Sequence, residues 1–166
     1  RDARITMIYE GANGIQALDL VGRKLGANSG RAIFAFFKEM DEFAEANEND
    51  AELKPFIEGL RSSKAQLQDG AMWLMQNGMS NFDNAGAAGH DFLNLFGLTA
   101  LTYMWALQAK AALAGKRNGA GGDPYYDTKL ATGRYFLARH LPDSGAHLAK
   151  LKSGAEPVMA LAAENF

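Results

Sequence analysis

Apolar positions recur at 3.6-residue spacing along nearly the whole chain, and no strand-length window alternates strictly, so the pattern predicts an all-α fold. Ile15, Leu18, Val21 and Leu25 share one face of a first helix, which breaks where Gly26, Asn28, Ser29 and Gly30 supply C-terminal and capping chemistry. In a second helix Ile33, Phe36, Phe37, Met40, Phe43 and Ala44 form the inward stripe, with Lys38, Glu39, Asp41, Glu42 and Glu45 facing away and an end near Asn47. Asn49-Asp50-Ala51-Glu52 has capping-box spacing, and Pro55 lacks an N–H, so a third helix begins between Asn49 and Pro55. Its stripe runs through Leu53, Ile57, Leu60, Lys64, Leu67, Ala71, Leu74 and Gly78, with the Lys64 stem lying on apolar surface and its ammonium reaching water.

The polar stretch 79–84 around Phe82 reads as a helix-to-helix turn, and a fourth helix follows from about Ala85 to Ala114. Its segment 92–109 carries no charge and reaches the lower limit of a membrane span. Asn94, Thr99, Thr102 and Gln108 interrupt it and neither flank has a basic excess, so it is expected to be the central helix of a soluble bundle. There Gly89, Gly97, Ala100 and Ala106 let neighbours approach, while Phe92, Leu93, Phe96, Leu101, Trp105 and Leu107 supply buried area. The glycine-rich stretch from Gly115 to Asp123 reads as a mobile connector. Asp123-Pro124 caps and opens a fifth helix with Tyr126, Leu130, Gly133 and Leu137 inward, Leu141-Pro142-Asp143 stops it, and two shorter helices follow, to Lys152 and from near Pro157. The expected fold is an antiparallel helical bundle with a short N-terminal motif segment and helix.

Composition narrows the function. With 166 residues, 48% hydrophobic and 22% charged, one core is expected. The 17 basic and 19 acidic residues are mixed, so no field for nucleic acid is implied. Cysteine is absent, which excludes disulfides, thiolate nucleophiles and cysteine-ligated metals; nothing reports an oxidising compartment, and a cytoplasmic protein is expected. His90, His140 and His147 lack ligand spacing and no Glu-x-x-His pair occurs, so no metal site is expected and the histidines read as surface or helix-end residues. The acidic series Glu39, Asp41, Glu42, Glu45, Glu48, Asp50 and Glu52 reads as a solvated face with its capping turn. Lys116 and Arg117 lack the strand and the Gly-Lys-Ser/Thr ending of a phosphate loop and read as part of a plain connector. The chain starts at Arg1 and runs at once into a dense motif, so it is expected to be a piece of a longer polypeptide.

That motif holds the candidate chemistry. Glu10 follows an apolar approach of Ile5, Met7 and Ile8 and stands between Tyr9 and Gly11. A carboxylate held near an acidic C–H and shielded from water can serve as a general base, because desolvation raises its pKa. By itself a Glu beside a Gly is more often an ordinary loop residue. The run from Arg1-Asp2-Ala3-Arg4-Ile5 through Ile8-Tyr9-Glu10-Gly11-Ala12-Asn13-Gly14-Ile15-Gln16, however, resembles the Arg-Asp-Ala-Arg-Ile…Ile-Tyr-Glu-Gly-Thr-Asn-Glu-Ile-Gln stretch near the C-terminus of acyl-CoA dehydrogenases.

The resemblance implies that Glu10 is the base that removes the α proton of an acyl-CoA thioester while the β hydride passes to N5 of FAD. It implies that Tyr9 and Gly11 border the acyl-CoA, and that the backbone at Glu10 helps polarise the thioester carbonyl. It places Ala12, Asn13 and Gly14 beside the flavin, where Ala12 replaces the usual Thr and Gly14 the usual Glu or Gln, leaving backbone contacts but not those side-chain contacts. Electron-transferring flavoprotein as electron acceptor and a homo-oligomeric assembly follow from the same resemblance. The remaining residues, including the run from Tyr126 to Phe136, are similar to the additional C-terminal helical domain of enzymes of the 3-methylmercaptopropionyl-CoA dehydrogenase type. Residues 1–28 are thus expected to end the dehydrogenase's helical domain, and residues 29–166 to form the additional bundle. The alternative expectation is a non-catalytic interaction or oligomerisation module of that enzyme.

Overall fold

The computed structural model describes residues 4–5, 8, 11–78, 80–120 and 123–165, and among them the regular elements are all helical, with no strand. A short helix α1 (Asn13–Asp19) continues into a π-helical turn at Leu20–Lys24. A 3-10 turn at Ala27–Gly30 leads to α2 (Arg31–Ala46), followed by α3 (Lys54–Asn77) and α4 (Phe82–Gly115). A second π-helical turn, Lys116–Ala120, precedes α5 (Pro124–Arg139), α6 (Asp143–Lys152), the one-turn α7 (Glu156–Met159) and a 3-10 turn at Ala163–Asn165.

The pairing is antiparallel, as the short connections require. Along α3 and α4, Ser63 lies against Thr99 and Gly70 against Leu95, so rising numbers in one helix meet falling numbers in the other. Lys64 pairs with Asp41 and Arg61 with Glu48 in the same reversed sense between α3 and α2. Helices α5 and α6 run back along α4 as one broken rod: Gly133 packs at Trp105, His147 meets Asp91, and Asn84 Oδ1 accepts from the Ala155 N–H at 2.9 Å. Two apolar clusters fill the bundle. One joins Phe37, Met40, Leu67, Leu74, Phe92, Leu95 and Leu151; the other joins Leu53, Phe56, Ile57, Ala106, Leu113 and Leu130. Phe56 and Phe92 are fully buried, and truncating either to Ala is expected to cost about 3–5 kcal/mol. Among the described residues no helix is long and apolar enough to cross a membrane.

Capping chemistry sets the element ends. The α3 turn is capped from Asp50 rather than Asn49: its Oδ1 accepts from Glu52 N at 3.1 Å and Leu53 N at 3.4 Å. Asn81 and Asp123 cap α4 and α5 by accepting from Asp83 N and Tyr125 N. Helix α4 begins at Phe82, earlier than the Ala85 read from the pattern, because Asn81 is its cap. Between α1 and α2, Asn28, Ser29 and Gly30 all take positive φ, at 51°, 58° and 74°. A Cβ on Gly30 would stand 3.2 Å from the Phe34 ring, so glycine satisfies both the backbone and the close approach there.

Several expectations are corrected. Ile15 and Leu18 are exposed, and α1 instead buries Ala17, because Gly89 lets its backbone come close to α4. Helix α4 is not packed on every side: Gly97, Leu101, Met104 and Leu107 reach solvent. Lys64 does not extend to water but lies 2.6 Å from Asp41. The acidic series is largely partnered rather than merely solvated, with Glu39 accepting from the Tyr103 hydroxyl at 3.0 Å and Glu48 facing Arg61 at 3.3 Å. His147 is no surface residue; it is half-buried with Nδ1 2.8 Å from Asp91. The connector after α4 is pinned: Arg117 spans Asp50 and Glu52, each at 2.9 Å, and Lys116 reaches Asp127 at 2.6 Å.

Candidate functional site

Tyr9 and Glu10, the expected substrate contact and base, lie outside the described residues, and the structure begins the site at Gly11. Gly11 has φ +117°, a conformation that L side chains rarely adopt, and it turns the motif segment into α1. Ala12 precedes the first turn without a side-chain cap and its carbonyl accepts from the Gln16 N–H at 2.9 Å. Asn13 and Gly14 open the helix, and Gly11 to Gly14 are all exposed. The four described motif positions are thus brought together on one turn, at the surface.

The bundle fixes that turn from beneath. Ala17 is buried on α4, and a Cβ on Gly89 would stand 3.6 Å from the Ala17 carbonyl oxygen and 3.5 Å from Val21 Cγ2. Val21 and Leu20 pack against the cluster that contains Leu25, Leu74 and Ala88. At the far end of α1, Asp19 holds Arg23 at 2.6 Å and Lys24 at 2.9 Å. The Arg23 guanidinium and then the Lys24 ammonium keep the Asp19 carboxyl below the usual carboxylate range.

An open depression of about 530 Å³ lies beside the motif, lined by Gly11, Gly14, Ile15, Ala17, Leu18, Gly86 and His90. Gly86 and His90 come from α4 and were not singled out by sequence as site residues; nothing in the α4 pattern tells which of its turns α1 crosses. His90 Nε2 lies 3.1 Å from the Asn94 side-chain nitrogen one turn later. Around Gly11, Gly14 and Gly86 the space where a Cβ would project is open, with no atom within 4 Å. The chemical character is apolar and permissive of close backbone approach, with one imidazole at the edge. Among the described residues no group of His, Asp and Glu could hold a metal ion.

Comparison with known proteins identifies the bundle. The family model described as acetyl-CoA dehydrogenase C-terminal-like matches residues 36–162, from within α2 to the last turns of the bundle. The chain belongs to this family. Among curated members of the acyl-CoA dehydrogenases, the chain is 27% identical over 150 residues to the broad-specificity linear acyl-CoA dehydrogenase of Mycobacterium tuberculosis, covering 86% of this chain and 24% of that protein. It is 29% identical over 160 residues to the 3-methylmercaptopropionyl-CoA dehydrogenase of Ruegeria pomeroyi, covering 96% of this chain and 27% of that protein. The acetyl-CoA dehydrogenase C-terminal-like chain therefore spans about a quarter of the length of these relatives. The family match itself starts after the motif and α1.

Proposed function

We propose that this chain is the C-terminal part of an FAD-dependent acyl-CoA dehydrogenase in which Glu10 removes the α proton of an acyl-CoA thioester. The observation that carries the reading is the sequence motif Ile8-Tyr9-Glu10-Gly11, whose Gly11 takes φ +117° just ahead of α1, in a chain whose bundle belongs to this family. Names borne by the two relatives, both acyl-CoA dehydrogenases, support it.

Tyr9 and Gly11 border the thioester in this reading, and Ala12, Asn13 and Gly14 meet FAD through their backbone. The open space over Gly11 and Gly14 fits a flat group approaching the main chain. FAD, when bound, supplies the hydride-accepting chemistry. The chain's own part is to present Glu10 as a carboxylate and to take the proton onto a carboxylate oxygen. Electron-transferring flavoprotein then collects the electrons, the enzyme is a homo-oligomer, and it works in the cytoplasm. Residues 1–28 close the dehydrogenase's own helical domain and 29–166 form the additional bundle, a division supported by the family match starting at residue 36.

The test is Glu10→Gln in the complete enzyme, which keeps size and hydrogen bonding but removes the base. Turnover of acyl-CoA is expected to fall by about 10²–10⁴ with the flavin spectrum retained. Turnover within a few-fold of the unmodified enzyme sinks the assignment.

A further inference from the structure

One face of the bundle is left uncovered. Along α4, Gly86, Gly97, Leu101 and Met104 fall on one side of the helix and reach solvent, Leu101 being 50% and Met104 43% exposed, with the paired side chains of His90 and Asn94 on the same side between Gly86 and Gly97. Ile15 and Leu18 of α1 stand exposed beside the upper end of this stripe, around the depression that Gly86 shares with the motif. No charged residue occurs between positions 92 and 109. Gly86 and Gly97 are helical glycines whose missing side chains make room for nothing in this chain, since no atom lies within 4 Å of where a Cβ would be.

From these observations we infer that the Leu101–Met104 stripe, continuous with the motif depression, is the surface on which the flavin-holding body of the dehydrogenase docks. The inference rests on the proposed function, in which that body must reach Gly11 and Gly14, and adds that its contact continues down α4. The occupant must be apolar and uncharged where it meets Leu101 and Met104, because a charge laid there would lose its water without finding a partner, and polar where it meets His90 and Asn94. A second copy of this chain fits less well. From Gly86 to Met104 the stripe is about 27 Å long at 1.5 Å per residue. One helix face of that length offers less than the ~800 Å² per partner typical of a stable dimer. A body joined to this chain needs less area, since the covalent link holds it at high effective concentration.

Methionine oxidation reads the surface directly. Dilute peroxide is applied to this chain alone and to the complete enzyme, and the oxidation rate of Met104 is followed by peptide mass spectrometry. Met104 is expected to react readily in the chain alone and about tenfold more slowly in the complete enzyme. Equal rates in the two would overturn the proposal. So would protection in the chain alone that grows with its concentration, which makes a second copy the occupant. A photo-reactive benzophenone amino acid at position 104 of the complete enzyme identifies what is touched: capture of the flavin-holding body supports the docking face, and capture of a second copy of residues 1–166 overturns it. Neither readout needs turnover, so this inference and the role of Glu10 can fail separately.

Discussion

The Thr99 hydroxyl oxygen of α4 lies 3.2 Å from the carbonyl oxygen of Ser63 in α3 and 2.9 Å from that of Leu95, one turn back in its own helix. Thr99 and Ser63 are both buried, so the one hydroxyl proton is shared between two carbonyls at the centre of the α3–α4 pair. Thr99→Val keeps the shape and removes the donor, while both carbonyls keep their helical partners. The expected loss is about 1 kcal/mol. Thr99→Ala adds a small cavity and is expected to lose more. Both are measured as shifts in the urea midpoint at unchanged slope.

Gly133 fixes how closely α5 approaches the second core cluster. A Cβ there would stand 2.7 Å from Cε1 of Phe56, whose ring is fully buried and has no room to withdraw, and 3.1 Å from Trp105. Overpacking of this kind typically costs about 1–3 kcal/mol, against which Ala returns up to ~1 kcal/mol of helix propensity. Gly133→Ala is therefore expected to lower the thermal midpoint. The neighbouring surface change Ala131→Ser should leave it nearly unmoved.

Arg117 ties the turn after α4 to the turn before α3. Its hydrogen bond to Asp50 is the main cause that holds the Asp50 carboxyl below the usual carboxylate range. A carboxyl depressed in the folded state contributes stability above its unfolded value of about 3.9, and that contribution is lost as pH falls through the lower folded value. Arg117→Ala should move the Asp50 titration, followed by NMR, up toward the ordinary range, with the Glu52 and Leu53 N–H groups keeping part of the depression. It should also speed proteolytic cleavage at residues 116–123 while changing global stability little, as expected for an exposed ion pair.

Tyr103 is buried between Phe36 and Phe43 and donates to Glu39 at 3.0 Å. Burial first, and Glu39 second, push its phenol above the usual tyrosine range. A group whose folded pKa is raised contributes stability fully present below its unfolded value, about 10, and lost as pH climbs through the folded one. The chain is therefore expected to lose stability above pH ~10, and Tyr103→Phe to flatten that loss. Denaturation curves at pH 8 to 11 check the difference, since a Phe variant that falls as steeply as the parent removes Tyr103 as the cause.

The buried stripe of α2, the Leu53 to Leu74 stripe of α3 and the Asp123-Pro124 cap were legible because each depends on local spacing or local hydrogen bonds. What escaped depends on partners far along the chain. Glu39, Asp41 and Glu48 look like one solvated face until α3 and α4 bring Lys64, Arg61 and Tyr103 to them. Arg117 looks like a loop cation until its turn closes on Asp50, 67 residues away. At the site, the motif was readable by resemblance, but Gly86 and His90 enter only through the crossing of α1 over α4. The open face of α4 was only faintly marked, by His90, Asn94 and Gln108 on the same side as Leu101 and Met104, because the apolar residues around the rest of the helix outnumber them.

The π-helical turn at Leu20–Lys24 closes with Leu25 N–H on the Leu20 carbonyl at 2.8 Å, five residues back where an α-helix would use four. It acts as an angular spacer. Deleting one residue there would rotate everything before it by about 100° around the α1 axis and draw it in by about 1.5 Å. Ala17 would leave its seat on Gly89 and the Gly11 turn would aim elsewhere. The direction of the Gly11 turn is therefore set by a single inserted residue, and a one-codon change at this turn re-aims it without altering the motif's own residues.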